Sequence, residues 1–559
     1  MKIVQVHNVS RNVHRGPGWV VLLLWLLFVL HGLFYCLAMP LWEGFDEPYQ
    51  FAAVQYVART GHMPTPATPL SRQVAASLYL SPAPWMLRVH ALPQPVLSYE
   101  QYWSLSPDER ASLRAQLLSL PTSWDNEPSN PPIENYEGQQ APLYYFLAAP
   151  VFRAFASFTL PGQVIALRLF GLLLASISLP IGYRFAERAL GNRILALLIL
   201  AVVVAMPELF INLCRVSNEP LALLICTLLL LVSVQFVQSE RRPLAYSAAL
   251  GLLLAVALLT KAYFLTFLPA VIFLLWMKLR GSATRLFASL AVMLAIAAAG
   301  AGPWYWHVHR ISGSWSGQTD DAALRHTSRL ALLGQVAHVN WKSGLASILF
   351  SHIWFGGWSF LRLSSSTYLL LLVPAAVAAV GIVLCALKWL RSGCHPDAMI
   401  AIAFLYVCFW AGLCYHVLVT YVHLGVSAST GWYLYCLVFG EVVLLAQGFL
   451  QILGRPALRW VLPSLVMVFS LIDIYGMHSL MLPYYTGRIV HVGDVVRPLQ
   501  ITAFSVSDTF SRLASLGPGW LARGALVATW MAYLLAILMT GAVAWVLGRG
   551  VNSRKARPS

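Results

Sequence analysis

The sequence contains little charge. Asp, Glu, Lys and Arg make up only 10% of the 559 residues, whereas about a quarter of the residues in soluble domains are charged. Hydrophobic residues make up 59%. Apolar runs of about 18 or more residues, the length that a helix needs to cross a bilayer, recur from one end of the chain to the other. The composition therefore excludes a soluble globular protein and predicts a polytopic membrane protein.

Cysteine provides no disulfide framework. Six of the eight cysteines lie inside apolar segments, and the long stretch 39–162 contains none. No Cys/His spacing typical of a zinc site occurs. The apolar segments also lack the alternation of barrel strands, and a spanning backbone must satisfy its own hydrogen bonds in lipid, so they are predicted to be helices. The absence of an internal repeat of about 20–50 residues disfavours a repeat-built transporter.

The chain does have an excess of positive charge, +16 at pH 7. Nucleic acid is not the expected partner, because the basic residues gather in short loops, as they do in cytoplasmic loops beside anionic lipids. If residues 141–158 form a helix that does not cross, nearly all of these loops lie on the side of the N-terminus. The pattern predicts about twelve spans, both termini in the cytoplasm and an outward juxtamembrane helix at 141–158. The predicted spans are 19–39, 163–183, 194–213, 220–238, 244–260, 262–278, 284–304, 367–387, 397–417, 431–453, 459–478 and 521–547.

This topology predicts an all-α protein in two parts. Residues 1–478 are predicted to form one transmembrane module, which includes the outward loops 39–162 and 307–366. The first of these loops is expected to hold juxtamembrane helices. Residues 479–559 are predicted to add an outward linker, the last transmembrane helix and a basic cytoplasmic tail.

An acidic cluster directly follows the first predicted span. Its members are Glu43, Asp46 and Glu47. Carboxylates are costly beside hydrocarbon, so such a cluster is a candidate functional site. The structural alternative is that Asp46 caps a helix opening at Glu47-Pro48. A cap would leave Glu43 and Glu47 unexplained, which favours chemistry.

Further polar residues stand at the outer ends of predicted helices. They are Glu137, Gln139, Gln140, Tyr144, Arg168, Arg215, Asn218, Glu219 and Lys261. A carboxylate at this depth could act as general base toward a hydroxyl, and a cation could neutralise a departing phosphate. Structural alternatives stay open: Arg168 could snorkel to the interface, Lys261 could anchor a helix end, and Arg215 could pair locally with Glu219.

The order of these motifs resembles that of the GT-C superfamily of membrane glycosyltransferases, which includes protein O-mannosyltransferases and aminoarabinose transferases. The similar segments are Asp46-Glu47, Glu137–Tyr145, Arg168, Arg215–Glu219, Leu258–Lys261 and Thr430–Tyr433. Two positions depart from the family pattern. Ala141 stands where a proline is common, and Trp432 stands where the family often has arginine.

The resemblance implies a glycosyltransferase that moves a sugar from a polyprenyl- or dolichyl-phosphate donor to an acceptor hydroxyl, with inversion, on the non-cytoplasmic side. Asp46 would be the general base, with Glu47 positioning the acceptor or sharing this role. The implied phosphate contacts are Arg168, Arg215 and Lys261. The other implied substrate-binding residues are Glu43, Glu137, Gln139, Gln140, Tyr144, Asn218, Glu219, Trp432 and Tyr433. The acceptor would be a glycan, lipid or protein, and an apolar groove would hold the lipid tail.

Alternatives to this interpretation concern metal and reaction class. Asp46, Glu47 and Glu219 could supply oxygen ligands for Mg²⁺ or Mn²⁺, but the nearby cations favour transfer without a metal. The chief alternative function is a transporter or flippase of lipid-linked sugars. Charges gathered at outer helix ends rather than at the mid-plane favour the enzyme. An oligosaccharide polymerase or ligase and a non-catalytic assembly subunit are further alternatives. Outward loops without cysteine pairs or sequons favour a bacterial inner membrane.

Overall fold

The computed structural model describes residues 18–89, 92–122, 128–324, 327–392, 397–493 and 495–551. Regular structure in these residues is almost entirely helical. The first half contains α1 Gly18–Ala38, α2 Glu47–Thr60, α3 Arg72–Leu80, α4 Trp85–Val89, α5 Tyr99–Ser104, α6 Pro107–Leu118, α7 Leu143–Ala154, α8 Leu160–Leu190, α9 Arg193–Ala205, α10 Pro207–Leu213, α11 Glu219–Gln238 and α12 Pro243–Leu258. The second half contains α13 Phe267–Leu279, α14 Ala283–Ser312, α15 Thr319–Ala323, α16 Arg329–Gln335, α17 Trp341–Ile353, α18 Ser365–Ser392, α19 Asp397–Leu424, α20 Val438–Leu453, α21 Arg455–Tyr475, α22 Leu482–Tyr485, α23 Val506–Leu516 and α24 Arg523–Gly550.

Short segments of other types complete the secondary structure. They are the 3₁₀ helices Ala262–Thr266, Gly431–Leu437 and Ile501–Ala503, the π-helix Gly476–Met481, and the strands β1 His491–Val492 and β2 Val495–Val496. The two strands pair antiparallel, with His491 opposite Val496. The 3₁₀ and π segments at 262, 431 and 476 continue directly into transmembrane helices.

Ten helical segments in the described part of the chain are long and apolar enough to cross a membrane. They are α1, α8, α11, Ala262–Leu279, α14, Ser365–Arg391, α19, Gly431–Leu453, Arg455–Tyr485 and α24. The chain is therefore an all-α, multi-pass membrane protein, and the predicted fold class is confirmed.

Two of the twelve predicted spans are not straight, full-length helices. The predicted span 194–213 is broken into α9 and α10, with a bend of 65°. The break falls at Met206-Pro207, because proline cannot donate the helical N–H and its ring crowds the preceding turn. The predicted span 244–260 is α12, which has only 16 residues and is about 24 Å long, less than the roughly 30 Å of a bilayer core.

The segment 141–158, predicted not to cross the membrane, forms the short helix α7. Its 12 residues extend about 18 Å, too little to cross a bilayer. One face buries Tyr144 and Tyr145, while Phe146 and Leu147 are exposed. Helices α2 to α7 lie between the first and second spans in the chain, and α7 packs against α2 and α8. This placement brings the predicted acidic cluster next to the segment 135–145.

The C-terminal helix belongs to the bundle core. Helix α24 packs against α1, α9 and α21. The first and last helices are therefore neighbours, and the residues beyond 478 complete the same bundle that residues 1–478 form.

Helices α18 and α20 cross at glycines. A Cβ atom on Gly448 would overlap the carbonyl oxygen of Ala378, and a Cβ on Gly381 would overlap the carbonyl oxygen of Gly448. Because apolar lipid provides no hydrophobic drive for helix association, such close backbone approach is a main source of attraction between membrane helices. Any side chain at Gly448 would separate the pair.

We expect Gly448→Ala to lower the melting temperature of the purified protein in detergent, because the new methyl group collides with the backbone of α18. Overpacking of this kind costs about 1–3 kcal/mol. The matched variant Gly524→Ala adds the same methyl group to the first turn of α24, where no atom lies within 4 Å. That variant should be neutral or stabilising by helix propensity, up to about 1 kcal/mol. Equal melting temperatures for the two variants would contradict the crossing.

Candidate active site

Asp46 occupies the N-cap position of α2 but does not cap it. Its backbone is left-handed, with φ 57° and ψ 13°, and its side chain makes no capping hydrogen bond. The carboxylate instead accepts a hydrogen bond of 2.6 Å from the Tyr136 hydroxyl. The capping alternative for the Asp46 side chain is therefore wrong. Left-handed backbone is strained for most non-glycine residues and recurs at functional sites.

Tyr136 is held as a permanent donor to Asp46. Its ring lies 4.2 Å from the ring of Tyr49. Burial, together with the charge of Asp46, raises the pKa of Tyr136 well above its usual value. The hydroxyl therefore keeps its proton at neutral pH. Asp46 is the one half-buried carboxylate of the acidic cluster, since Glu43 and Glu47 are fully buried.

Glu47 forms a bidentate ion pair with Arg168. The Arg168 Nε lies 2.7 Å from Oε1 and its Nη2 lies 2.6 Å from Oε2. The other guanidinium protons go to backbone carbonyls of Cys36, Met39 and Pro40. Arg168 therefore does not snorkel to the interface. Both side chains are about 99% buried or more, and the pair joins the end of α1 to α8.

The same carboxylate also fixes the segment after α10. The backbone N–H of Val216 donates to Glu47 Oε1 at 3.0 Å. Glu47 thus ties together the turn before α2, helix α8 and the segment that carries Arg215 and Asn218. In this arrangement it positions the site rather than facing a cavity.

Glu43 and Glu208 hold the loop 354–363 from two sides. Glu43 accepts from the backbone N–H and the hydroxyl of Ser359, both at 3.0 Å, and from the Tyr99 hydroxyl at 2.9 Å. Glu208 accepts from the backbone N–H groups of Phe355 at 2.6 Å and Gly356 at 3.3 Å. Burial raises the pKa of Glu43 to about 8, against the lowering effect of these donors. Both carboxylates are fully buried.

Glu137 lies at the centre of a buried polar chain. Gln50 donates to Glu137 Oε2 at 2.6 Å and accepts from the Tyr145 hydroxyl at 2.6 Å. Burial, followed by the charge of Asp46, raises the pKa of Glu137 to about 8, while Lys261 and Arg215 lower it. Asp46, Lys261 and Arg215 are therefore all close enough to Glu137 to change its pKa.

Gly138 explains the tight turn of this segment. A Cβ atom at this position would overlap the carbonyl group of Thr65. Because glycine has no Cβ, the backbone at Gly138 can pack against the Thr65 carbonyl. Its neighbours Glu137 and Gln139 both line the polar cavity described below.

Lys261 pairs with Glu219 and lies against aromatic faces. Its ammonium contacts Glu219 Oε1, and it lies 4.7 Å from the ring centre of Tyr433 and 5.2 Å from that of Tyr263. The Tyr263 hydroxyl donates to the other Glu219 oxygen at 3.1 Å. Since Glu219 pairs with Lys261, the alternative of a local pair between Arg215 and Glu219 is wrong.

Arg215 is a buried cation without a carboxylate partner among the described residues. Its side chain donates to the carbonyl of Phe45, and to the backbone and side-chain oxygens of Asn212 at 3.2 and 2.8 Å. The guanidinium lies 5.2 Å from the Phe45 ring centre. Only 3% of the residue is exposed. All of its described acceptors are neutral, which is unusual for a buried charge.

Two adjacent cavities lie beside these groups. The first has a volume of about 160 Å³ and is lined by Tyr136, Glu137, Gln139, Gln140, Ala141, Ala262, Trp304, Tyr305, Ser316, Gly317, Gln318, Asp320, His416 and Tyr433. The second, of about 240 Å³, lies between Ala262–Leu279 and α19 and is lined mainly by apolar side chains. Ala262, Ser316, Gln318, Asp320, His416 and Tyr433 line both.

Only some of the residues predicted from the sequence line the polar cavity. Glu137, Gln139, Gln140 and Tyr433 line it. Asp46 reaches it through Tyr136, and Lys261 lies behind Ala262 and Tyr433. Asn218 touches the rim, because its amide donates to Gln140 at 3.4 Å. The predicted residues that line neither cavity are Glu43, Asp46, Glu47, Tyr144, Arg168, Arg215, Asn218, Glu219, Lys261 and Trp432.

Trp432 forms part of an aromatic wall. Its ring stacks on Phe45 with centroids 3.9 Å apart and planes 13° apart. Phe45 directly precedes Asp46 and also carries the cation contact of Arg215. Trp432 therefore supports the backbone beside Asp46.

Several residues of the site carried no clear sequence motif. Tyr136 belongs to the polar segment Asn135–Gln140 that the sequence singles out, but no role was assigned to it. Gln50 was not predicted, although it follows Asp46 by four residues and therefore shares its helix face. Asp320 and His416 also line the polar cavity. Asp320 accepts hydrogen bonds from two residues of α19, Thr420 at 3.0 Å and His423 at 2.7 Å. These partners lie about a hundred residues later in the chain, so no local sequence pattern could predict the contact.

Two of the three carboxylates considered for a divalent ion, Glu47 and Glu219, have other partners in this structure. Both oxygens of Glu47 accept from Arg168, and those of Glu219 accept from Lys261 and Tyr263. No group of three or more His, Cys, Asp or Glu side chains suited to a metal ion occurs in the described residues. Transfer without a metal stays a prediction.

The fold and site define a polytopic, all-helical membrane protein with a buried charged site at one end of its bundle. No protein-family profile and no curated protein matches the chain. Among solved structures it is similar to ArnT from Cupriavidus metallidurans bound to undecaprenyl phosphate, with 13% identity, coverage of 96% of this chain and 78% of that one, and a TM-score of 0.45. The apo state of the same protein is similar as well, with 12% identity, coverage of 96% of this chain and 77% of that one, and a TM-score of 0.45.

An oligosaccharyltransferase from Archaeoglobus fulgidus, in complex with Zn and sulfate, is also similar, with 12% identity, coverage of 79% of this chain and 53% of that one, and a TM-score of 0.36. The chain thus corresponds to about half of that protein. The positions of individual side chains stand on the geometry above.

The buried pair Glu47–Arg168 should be essential for stability. Arg168→Met leaves Glu47 buried without its partner, which should cost about 3–5 kcal/mol and be seen as a lower melting temperature. Adding Glu47→Gln to Arg168→Met should restore part of the loss. The control Arg184→Met, on the same helix, breaks an exposed pair with Glu187 and should cost about 1 kcal/mol or less. A double variant no more stable than Arg168→Met would contradict the pairing.

The raised pKa of Glu137 predicts a pH-dependent stability. Its pKa is about 8 in the folded protein and about 4.3 in an unfolded chain, so the folded state binds more protons between these values and loses stability as the pH rises through them. Glu137→Gln should therefore show a smaller fall in melting temperature from pH 5 to 8 than the wild type. Glu134→Gln, at an exposed position three residues earlier, should behave as the wild type. An unchanged slope in Glu137→Gln would contradict the assignment.

Proposed function

We propose that this protein is a membrane glycosyltransferase that transfers a sugar from a polyprenyl- or dolichyl-phosphate donor to an acceptor hydroxyl. The observation that supports it most is the junction of the polar and apolar cavities beside Asp46 and Lys261. A lipid-linked sugar has the same division, with a polar head attached to an apolar tail. The two adjacent cavities, which share six lining residues, match this division.

The apolar cavity would hold the first part of the lipid tail. It lies against Tyr263, Leu265, Phe409 and Leu413, and faces the region where the bilayer would be. Burying apolar surface there is favourable by about 25 cal/mol per Å². The tail would then continue between helices into the membrane.

Lys261 and Arg215 would stabilise the phosphate. Lys261 is next to the shared wall of the two cavities, and its current partner Glu219 could be exchanged for a donor phosphate. Arg215 has no carboxylate partner among the described residues, so a nearby phosphate would compensate its charge. Such charge stabilisation is usually the largest contribution to catalysis when a phosphate leaves.

The sugar would be held by acceptors that now lack donors. The side-chain oxygens of Gln139 and Asn218 are buried and have no hydrogen-bond partner among the described residues. Burying such an atom unpaired costs about 1–3 kcal/mol. Sugar hydroxyls are the donors that these positions require. Glu137 and Gln140, on the same wall, supply further contacts.

Asp46 would act as the general base. It takes the proton of the acceptor hydroxyl while the hydroxyl oxygen bonds to the anomeric carbon, and the bond from that carbon to the phosphate oxygen breaks. The lipid phosphate leaves with the electron pair, so a single displacement inverts the anomeric configuration. Tyr136 orients the carboxylate, and Glu47 acts through Arg168 and Val216 by fixing the turn that carries Asp46.

The cellular setting is part of the proposal. The excess of basic residues in short loops supports cytoplasmic termini and a site on the outer face. A bacterial inner membrane is proposed as the host membrane, and a glycan, lipid or protein as the acceptor.

Replacement of Asp46 by Asn tests the proposal. Asn keeps the size and removes the base, so the rate of transfer should fall by about 10²–10⁴-fold. The assay uses the purified protein in proteoliposomes, a panel of undecaprenyl-phosphate-linked pentoses and hexoses, and mass spectrometry of the products. Binding of the lipid donor should persist. The control Asp108→Asn, in the exposed first turn of α6, should keep full activity.

Two outcomes would overturn the assignment. Unchanged transfer in Asp46→Asn would remove Asp46 from the chemistry. Movement of the lipid-linked sugar across the bilayer without any transfer, equal in both proteins, would make the protein a transporter.

A further inference from the structure

A second charged cavity lies at the other end of the bundle. Its volume is about 290 Å³, and it is formed by the connection between α11 and α12 and the connection between α13 and α14. Helix α12 starts at this cavity and ends beside Lys261. Because α12 has 16 residues, about 24 Å of helix separate the cavity from the candidate active site.

The cavity is positively charged. Arg241, Lys278 and Arg285 line it, and Glu240 is the single carboxylate among its lining residues. The Lys278 ammonium is largely buried, donating to the Val237 carbonyl at 2.9 Å and to Glu240 at 2.7 Å. Arg241 and Arg285 are exposed, and neither is in an ion pair within the part of the chain that the structure describes. Three cations thus face one carboxylate, whose side chain is 87% exposed.

Helix ends add to the positive potential there. Helices α12 and α14 both begin at the cavity, and neither N-cap residue, Arg242 or Ser282, makes a side-chain capping bond. The first N–H groups of a helix and its dipole attract anions. The cavity therefore combines three basic side chains with two helix starts.

Apolar side chains are exposed on the helices that meet at the cavity. Leu244 on α12, Trp276 on α13 and Phe287 on α14 are 49%, 45% and 69% exposed. Each lies within two residues, along the chain, of a residue that lines the cavity. An amphipathic ligand could place its charged group inside and its chains along these residues, as lipids do at basic pockets between transmembrane helices.

We propose that this cavity binds a phosphate ester, and that its natural source is the headgroup of an anionic phospholipid. Arg241 and Arg285 contact the phosphate oxygens, and the largely buried Lys278 adds its positive charge to the cavity wall. The acyl chains lie along Trp276 and Phe287. The site is separate from the proposed transfer reaction and does not depend on it. A bound lipid would hold together α12 and α14, whose other ends border the polar cavity.

Native mass spectrometry of the full-length protein tests the site. The purified protein is titrated with phosphatidylglycerol, with phosphatidylcholine and with inorganic phosphate. We expect saturable binding of phosphatidylglycerol and little binding of phosphatidylcholine. The double variant Arg241→Ala/Arg285→Ala should weaken the binding by roughly tenfold or more. Saturable binding of inorganic phosphate alone, lost in the same variant, would support the phosphate site and assign it a soluble ligand.

Two matched variants separate a specific site from general charge. Arg455→Ala/Arg549→Ala removes two exposed arginines at the same end of the bundle and should bind phosphatidylglycerol as the wild type does. Arg241→Lys/Arg285→Lys keeps the charge and should retain most of the affinity. The proposal fails if the control pair loses as much affinity as the cavity pair, or if the cavity pair loses none while its melting temperature matches the wild type. It also fails if neither phosphatidylglycerol nor phosphate binds saturably.

Discussion

The site depends on the buried ion pair between Glu47 and Arg168. An unpaired charge at either position would be very unfavourable in a low-dielectric interior, so the two groups hold each other in place. Arg168 also holds the carbonyls at the end of α1, and Glu47 holds the N–H of Val216. Through these contacts, the turn that carries Asp46 and the segment that carries Arg215 share one reference point. Neither residue needs to touch substrate to control the geometry of the site.

Around this fixed point, charge and polarity change over a short distance. Glu137 lines the polar cavity, Tyr433 lines both cavities and contacts Lys261, and Phe409 lines the apolar cavity. Helix α12 ends at Leu258, just before Lys261, and residues of the following 3₁₀ helix Ala262–Thr266 line the cavities.

Much of this architecture can be predicted from the sequence. Low charge and long apolar runs predict the helical membrane fold, and the ordered motifs predict Glu137, Gln139 and Gln140 as neighbours in space. The pairing of Glu47 with Arg168 could not be predicted, because it joins residues 121 positions apart through the crossing of two helices. Asp320 was missed for the same reason: its partners on α19 follow about a hundred residues later, and its local sequence resembles any polar loop. The bend before Pro207 had a clear local cause.

The loop 354–363 links the buried acids to the turn that carries Asp46. Glu43 and Glu208 hold it chiefly by main-chain N–H groups, which every residue except proline provides. Its path is also set by the glycines at 356 and 357, whose φ angles are 65° and 77°, and by the buried side chains of Trp354, Trp358 and Leu361. Phe360 is left-handed as well, with φ 51°, and its ring centre lies 6.2 Å from that of Phe45. A substitution that displaces this loop would therefore disturb Asp46 through the residue that directly precedes it.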